Sequence, residues 1–250
     1  MKKKVLGNSI NYGDRLKVMS NIKENTVDFI FTSPPYNVGK EYKNHHDLME
    51  YDEYLKFLND TWIEAIRTLK DGGRIAINVA SITYKGEFKA LYSDIIQQLL
   101  GLGMIMRCEI LWYKQTISNR TAWGSWKSPS NPYVVQPYEF ILVFSKNTKK
   151  HEGDKKNIDI TADEFKEYSN SFWQLKPETR MSKTHPAPFP ESLVYRLLKF
   201  YTYKQDVVMD MFGGSGTTAF VSKKLDRKYI YIDNCKEYYL FAKNRIENLI

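Results

Sequence analysis

Cysteine is scarce in this chain, and the scarcity removes several possibilities. The 250 residues hold two cysteines, Cys108 and Cys235, which form neither a metal-ligand spacing nor a disulfide framework. A reducing, cytoplasmic setting fits. Histidine is also rare. His45-His46 are adjacent, but no cysteine or carboxylate joins them at a ligand spacing, so a loop is expected there and no metal. Long apolar runs are missing: no segment reaches the ~18 residues of a membrane span. The basic start Met1-Lys2-Lys3-Lys4 lacks the apolar stretch of a secretory signal. Acidic residues are outnumbered, 29 against 37 Lys and Arg, for a net charge of +8. That balance favours an anionic partner such as nucleic acid, although charge alone implies only solubility and loose association.

What is present points to a folded enzyme-sized unit. Hydrophobic residues at 42% and aromatics at 14% suffice for one core, and residues 1–250 read as a single domain. No internal repeat occurs. After a short apolar start at Val5 and Leu6, a helix is expected from Arg15 to Asn21. Val27-Asp28-Phe29-Ile30-Phe31 reads as a buried strand, and residues 37–48 as a polar, mobile loop. Leu55, Leu58, Trp62, Ile66 and Leu69 recur every three or four positions, which predicts a helix over 51–70, stopped by Gly72-Gly73. Residues 74–80 form an almost continuous apolar strand of the kind covered on both faces. A helix over 88–100, strands near 107–113 and 138–145, and a short helix over 163–172 follow. The prolines of His185-Pro186-Ala187-Pro188-Phe189-Pro190 lead into an amphipathic helix carrying Leu193, Val194, Leu197, Leu198 and Tyr201. A strand at 206–211, a glycine loop, a helix from about Ala219, a strand at 229–232 and a final helix over 237–249 complete the chain. The alternation predicts a doubly wound α/β sheet.

Two segments carry chemistry. Thr32-Ser33-Pro34-Pro35-Tyr36 follows a buried strand, where open α/β sheets place ligands. It offers a hydroxyl, stiffened carbonyls and an aromatic face, parts suited to gripping the exocyclic amine of a flat base. The second is Phe212-Gly213-Gly214-Ser215-Gly216-Thr217-Thr218, between a strand and a helix. Asp233 stands 17 residues after Gly216, at the tip of the next strand, where a carboxylate can accept two hydrogen bonds from a ribose diol. A P-loop needs a lysine after its last glycine, where Thr217-Thr218 stand. The dinucleotide fingerprint needs a third, later glycine. S-adenosylmethionine remains, having a ribose but no pyrophosphate.

These motifs together resemble the DNA amino-methyltransferases of the permuted group called β, in which the proline-proline turn comes first and the cofactor loop late. The likeness runs through Gly13-Asp14, the 27–36 segment, the strands at 74–80 and 138–145, the 185–190 proline run and Asp210 to Thr218. It implies a circularly permuted methyltransferase fold: a mostly parallel seven-stranded sheet with one antiparallel strand and a small recognition insertion. It also implies roles. Phe212, Gly213, Gly214, Ser215, Gly216 and Thr217 would line the methionine and adenosine of S-adenosylmethionine, with Thr32 and Asp210 in the same site. Asp233 would hold the ribose and Asp14 would lie near the adenine. Thr184, His185 and Pro186 would close over the methionine end. Asp14 reads equally as a turn former and His185 as a partly exposed side chain.

The chemistry of the turn is explicit. A base amine is a poor nucleophile because its lone pair is delocalised into the ring. Accepting its hydrogens at Ser33 Oγ and the Pro34 carbonyl pyramidalises the nitrogen, and the prolines preorganise the acceptor. Tyr36 stacks on a base that must first leave the duplex. Ser33, Pro34, Pro35 and Tyr36 are therefore the expected catalytic residues. In the resembling family a serine here accompanies cytosine N4 methylation more often, and aspartate or asparagine adenine N6. Cytosine N4 in duplex DNA is thus expected, with adenine N6 as the alternative and an RNA or protein-amide methyltransferase behind it. A catalytically dead binding module has nothing to support it. DNA contacts are expected from 114–137 and from an insertion at 146–180. Asn119, Arg120, Trp123, Trp126, Lys127, Ser128 and Asn131 mix donors with aromatic surface, the tryptophans reading also as partial core. Lys146, Lys149, Lys150, Lys155 and Lys156 read as phosphate-positioning charges or as a solvated face. The variable region, short for the resembling family, implies a short recognition site read by a homodimer, and the resemblance adds a cognate restriction endonuclease as partner.

Overall fold

Apolar residues in unbroken strings need cover on both faces, and the strands of this protein have it. The computed structural model describes residues 7–37, 41–42, 45–46, 49–84, 86–115, 124–134, 136–178 and 188–249. In chain order its elements begin with β1 (Ser9–Tyr12), α1 (Arg15–Met19), β2 (Val27–Thr32), β3 (Glu41–Tyr42), β4 (His45–His46) and α2 (Tyr51–Thr68). Next come β5 (Leu69–Val79), β6 (Ile82–Tyr84), β7 (Glu87–Lys89), α3 (Leu91–Gly101), β8 (Ile105–Tyr113) and β9 (Tyr138–Ser145). The chain closes with α4 (Ala162–Tyr168), β10 (Phe172–Gln174), α5 (Glu191–Tyr201), β11 (Val207–Asp210), α6 (Thr217–Lys224), β12 (Lys228–Asp233) and α7 (Lys236–Glu247).

The main sheet runs β1-β12-β11-β2-β5-β9-β8-β10. Of these strands, β9 opposes its neighbours, pairing antiparallel with both β5 and β8; the other pairs in the sheet are parallel. Successive residues face opposite sides, as the pleat requires. Ile75, Ile77, Leu142 and Phe144 pack with α1, α2 and α3. Phe29, Phe31, Ala76, Ile141 and Val143 pack with α5 and its neighbours. At roughly 25 cal/mol per Å² of apolar surface, this double cover is the main stabilising contribution. Among the described residues no helix is long and apolar enough to cross a membrane.

The parallel, doubly wound sheet with one antiparallel strand is as expected. The strand count is not: the main sheet has eight strands among the described residues where seven were expected. The extra one is β10, whose first residue, Phe172, was expected to end a helix and whose other two were assigned to no element. Its alternation is only three residues long, with Trp173 buried between exposed Phe172 and Gln174, too short for a period to be read. Strand β1, Ser9–Tyr12, stands on the sheet edge, where a polar sequence suffices, and the apolar start at Val5 and Leu6 lies outside the described residues. Residues 87–89 pair with 82–84 as a hairpin rather than opening α3.

Gly72 does a different job from the one expected. Helix α2 ends at Thr68, and β5 starts at once with Leu69 extended (φ −67°, ψ 140°). Gly72 lies inside β5 with φ +74°. Its N–H donates to the Lys146 carbonyl at 2.8 Å, and a Cβ there would sit 1.9 Å from the carbonyl oxygen of Lys150. Glycine is required because a second backbone crosses the strand, not because a helix stops. That crossing segment is pinned further along by buried His151, whose Nε2 lies 2.8 Å from Asp206 Oδ2. These contacts sit at the N-terminal ends of β2, β5 and β11.

Candidate active site

The two chemical segments, 180 residues apart from Ser33 to Gly213, end on neighbouring strands. β11 pairs directly with β2, Met209 opposite Ile30, so the turn after β2 and the glycine loop after β11 leave the sheet side by side at its C-terminal edge. This is the switch point of the strand order, where open α/β sheets leave a crevice. One buried carboxylate joins them. Asp210 Oδ1 accepts from the Thr32 hydroxyl at 2.8 Å and from the Phe212 N–H at 3.1 Å, while Oδ2 accepts from the Thr218 hydroxyl at 2.7 Å. Burial pushes the Asp210 carboxyl up to about 6, against the pull of those three bonds. Thr32 and Asp210 thus bind each other, and neither lines the cleft.

The cleft beside them has a volume of about 1020 Å³ counted out through its open mouth into solvent. Ser33, Pro34, Pro35 and Tyr36 form one wall; Phe212, Gly213, Gly214, Ser215 and Asp233 form another. Asp233 is 9% exposed. Its Oδ2 accepts the Gly214 N–H at 2.8 Å and its Oδ1 the Cys235 N–H at 2.7 Å, so the carboxylate is fixed while each oxygen keeps a further lone pair. Burial raises its pKa, and the backbone donors oppose this. Gly216 caps α6 at φ +76°, and a Cβ there would meet Ala242 at 2.7 Å; Thr217 is buried behind it. Arg245 ties this loop to α5, donating to the Ser215 carbonyl at 3.1 Å, to Thr217 Oγ1 at 3.0 Å and to Glu191 at 2.8 Å.

Other expected residues lie elsewhere. Asp14 is the N-cap of α1, accepting the Lys17 N–H at 3.1 Å, a local reason for an aspartate; its neighbours Gly13 and Arg15 line the cleft instead. Thr184, His185 and Pro186 lie outside the described residues, as do Asn119, Arg120 and Trp123. Trp126, Lys127, Ser128 and Asn131 are exposed. Trp126 is 67% exposed, with Lys127 Nζ 5.9 Å from its ring centre, so it is not core. Its loop follows the C-terminal end of β8, at the cleft's edge of the sheet. The basic stretch from Lys146 to Lys150 runs along the opposite edge, beside Gly72 and His151.

Several residues of the site escaped the sequence reading. The Tyr54 hydroxyl donates to the Pro35 carbonyl at 2.6 Å, fixing the turn from α2. The Arg15 guanidinium lies 3.6 Å from the Phe57 ring centre and donates to Thr61 Oγ1 at 2.6 Å; burial lowers its pKa to about 10, leaving it charged at neutral pH. Behind Ser33 stand Asn78, Glu139 and Lys114. Asn78 was visible as a polar residue inside an apolar string. Glu139 is the second residue of β9, and only the antiparallel direction of that strand brings its start to the catalytic edge.

A sequence profile of the DNA methylase family, spanning N6- and N4-methyltransferases, matches residues 27–244. The chain is 38% identical over 177 residues to the Type II methyltransferase M.MjaVI of Methanocaldococcus jannaschii, covering 71% of this chain and 90% of that protein. It is 30% identical over 243 residues to the Type II methyltransferase M.HpaI of Haemophilus parainfluenzae, covering 93% and 72%. Among solved structures, a Thermus thermophilus protein described as a DNA modification methylase, complexed with S-adenosyl-L-methionine, superposes with a TM-score of 0.77 at 25% identity, covering 94% of this chain and 91% of that one. The cytosine-N4-specific PvuII DNA methyltransferase shares the fold, with a TM-score of 0.76 at 20% identity over 99% and 89% of the two chains.

Proposed function

The chain belongs to the DNA methylase family, and from that premise we propose that it methylates the exocyclic N4 of cytosine in duplex DNA. It is a DNA methyltransferase of the N6/N4 type that depends on S-adenosylmethionine. The observation that carries the amino-methyltransferase reading is the shared cleft: an amine-gripping turn and a nucleoside-type loop line the same space. The serine at 33, in place of an acidic residue or amide, supports cytosine over adenine by the family resemblance. The early turn and late glycine loop, on adjacent strands, support the permuted arrangement.

The cleft fits the cofactor. Asp233, held by two backbone donors, suits a ribose diol, and Phe57, Phe212, Pro188 and Tyr238 offer apolar walls for a flat purine. When bound, S-adenosylmethionine supplies an electrophilic methyl group on a sulfonium. The chain's own work is to hold the nucleophile. Ser33 Oγ and the Pro34 carbonyl accept the amine hydrogens of an extruded base, and Tyr54 stiffens the turn through Pro35. Positioning of this kind supplies much of the rate gain. Trp126, Lys127, Ser128 and Asn131, exposed on the cleft's side, contact the DNA together with Asn119, Arg120 and Trp123. The lysines from 146 to 150 follow β9 at the opposite edge of the sheet, where Lys146 bonds Asn25 and the Leu69 carbonyl, which favours a solvated face over phosphate positioning. The Type II names of the relatives support a cognate endonuclease as genetic partner.

The test is methyl transfer from labelled S-adenosylmethionine to duplex DNA, RNA and protein in parallel, followed by nucleoside analysis of the DNA. N4-methylcytosine is the expected product. Appearance of 6-methyladenine alone refutes the choice of base, and label only in RNA or protein refutes the substrate.

A further inference from the structure

Ser33 accepts an amine hydrogen only if its own proton points elsewhere. What decides that direction lies behind the turn. Ser33 Oγ is 3.2 Å from the Tyr36 hydroxyl oxygen. The Tyr36 hydroxyl reaches Glu139 Oε2 at 3.3 Å, with the Asn78 carbonyl at 3.4 Å as the competing acceptor; the charged oxygen is the stronger of the two. Glu139 is itself fixed on both oxygens. Lys114 pairs with Oε1, and Asn78 Nδ2 donates to Oε2 at 2.6 Å. Asn78 Nδ2 also lies 3.2 Å from the Tyr36 hydroxyl and 3.4 Å from Ser33 Oγ. Its amide has one sensible orientation, since the reverse would press its oxygen against a carboxylate. Asn78 is 2% exposed, and the Glu139 side chain 12% exposed. A carboxylate this enclosed, with a cation on one oxygen and a hydroxyl chain on the other, is an ordering device.

We propose that Glu139, held by Lys114 and Asn78, is a positioning residue that sets the direction of the Ser33–Tyr36 hydroxyl chain and takes up the proton released by the reaction. The inference rests on the reading of Ser33 as the amine acceptor. Tyr36 donates to Glu139, Ser33 donates to Tyr36, and a Ser33 lone pair is left facing the cleft. As the nitrogen–methyl bond forms, the methyl–sulfur bond breaks and its electron pair stays on sulfur. The nitrogen, now cationic, gives a proton to Ser33 Oγ. Ser33 passes its proton to Tyr36, and Tyr36 passes its own to Glu139 Oε2. No oxidant, metal or further reactant is needed. Hydrogen bonds of 3.2–3.4 Å leave room to shorten as substrate is held.

The test uses the full chain with Glu139→Gln, isosteric but unable to hold both Lys114 and the hydroxyl chain. Single-turnover methyl transfer to duplex DNA should fall about 100-fold, the low end of general acid–base effects, while S-adenosylmethionine affinity and DNA KM stay within about twofold of the parent. Glu139→Ala should lose as much and recover part of its rate with added formate, but not with chloride at equal ionic strength. A readout independent of turnover is the Tyr36 ring carbon bearing oxygen, observed by NMR in the free protein and assigned with Tyr36→Phe. Its resonance should move in Glu139→Gln. A Glu139→Gln rate within about twofold of the parent, or an unmoved Tyr36 resonance, overturns the proposal while leaving the methyltransferase reading intact. A parent chain that fails to methylate DNA overturns the function itself, and this inference with it.

Discussion

Asp210→Asn should make the protein more stable, and more so as the pH rises. Asp210 is 1% exposed and joins the catalytic turn to the glycine loop through Thr32, Thr218 and the Phe212 N–H. Burial lifts its pKa from 3.8 to about 6. The folded state therefore holds the ionised form less well than the unfolded chain does. A displacement of about two pH units corresponds to roughly 3 kcal/mol at ~1.36 kcal/mol per unit. The sign follows from the direction. The group's favourable contribution is complete below the unfolded pKa of 3.8 and is lost as the pH climbs through about 6. Asparagine carries no charge at any pH. Its oxygen keeps the Phe212 N–H, and its amide can donate to Thr218 once that hydroxyl rotates. The variant should therefore gain up to ~3 kcal/mol over the parent at about pH 8 and almost nothing near pH 4. For a domain of this size each kcal/mol moves Tm by ~2–4 °C, so the gain is about 6–12 °C. Thermal unfolding of both proteins, compared at each pH from about 4 to 8, is the assay. A difference that does not change with pH, or one that turns against the variant at high pH, refutes the reasoning.

Three further outcomes follow from the site. Ser33→Ala should lower the methyl-transfer rate about 10²–10³-fold, the usual effect of deleting one preorganised polar partner, with cofactor affinity unchanged by calorimetry. Asp233→Ala should weaken S-adenosylmethionine binding by about 1.5–3 kcal/mol, roughly 10- to 150-fold in Kd, since it removes a charged hydrogen-bond acceptor; an unaltered Kd would place the ribose elsewhere. Tyr54→Phe removes the 2.6 Å bond to the Pro35 carbonyl. It should cost about 1 kcal/mol of stability, lowering Tm by ~2–4 °C, and should reduce kcat more than KM, which steady-state kinetics will separate.

The parts of the fold that were legible share a physical cause. α2 announces itself because Leu55, Leu58, Trp62 and Ile66 repeat at helical spacing, and β5 and β9 because a strand covered on both faces must be apolar throughout. What failed were features set by neighbours. Gly72 looks like a helix stop, yet its φ of +74° serves the crossing of another backbone. Strand β10 is too short to show a period. Asp14 is a different case: of the two roles its sequence left open, the local one is visible, as the cap of α1.

The candidate site divides in the same way. The chemical identity of the Ser33–Tyr36 turn, the glycine loop and Asp233 is written in local order, because each is a strand tip followed by residues whose backbone or side chain suits one ligand group. That Asp210 clasps Thr32, that Tyr54 grips Pro35, and that Glu139 arrives behind Ser33 could be decided only by tertiary structure. Each depends on which strands are neighbours and which way they run. A carboxylate at the start of a strand reaches the ends of its neighbours only when that strand is antiparallel, and direction is a property of the assembled sheet rather than of any segment in it.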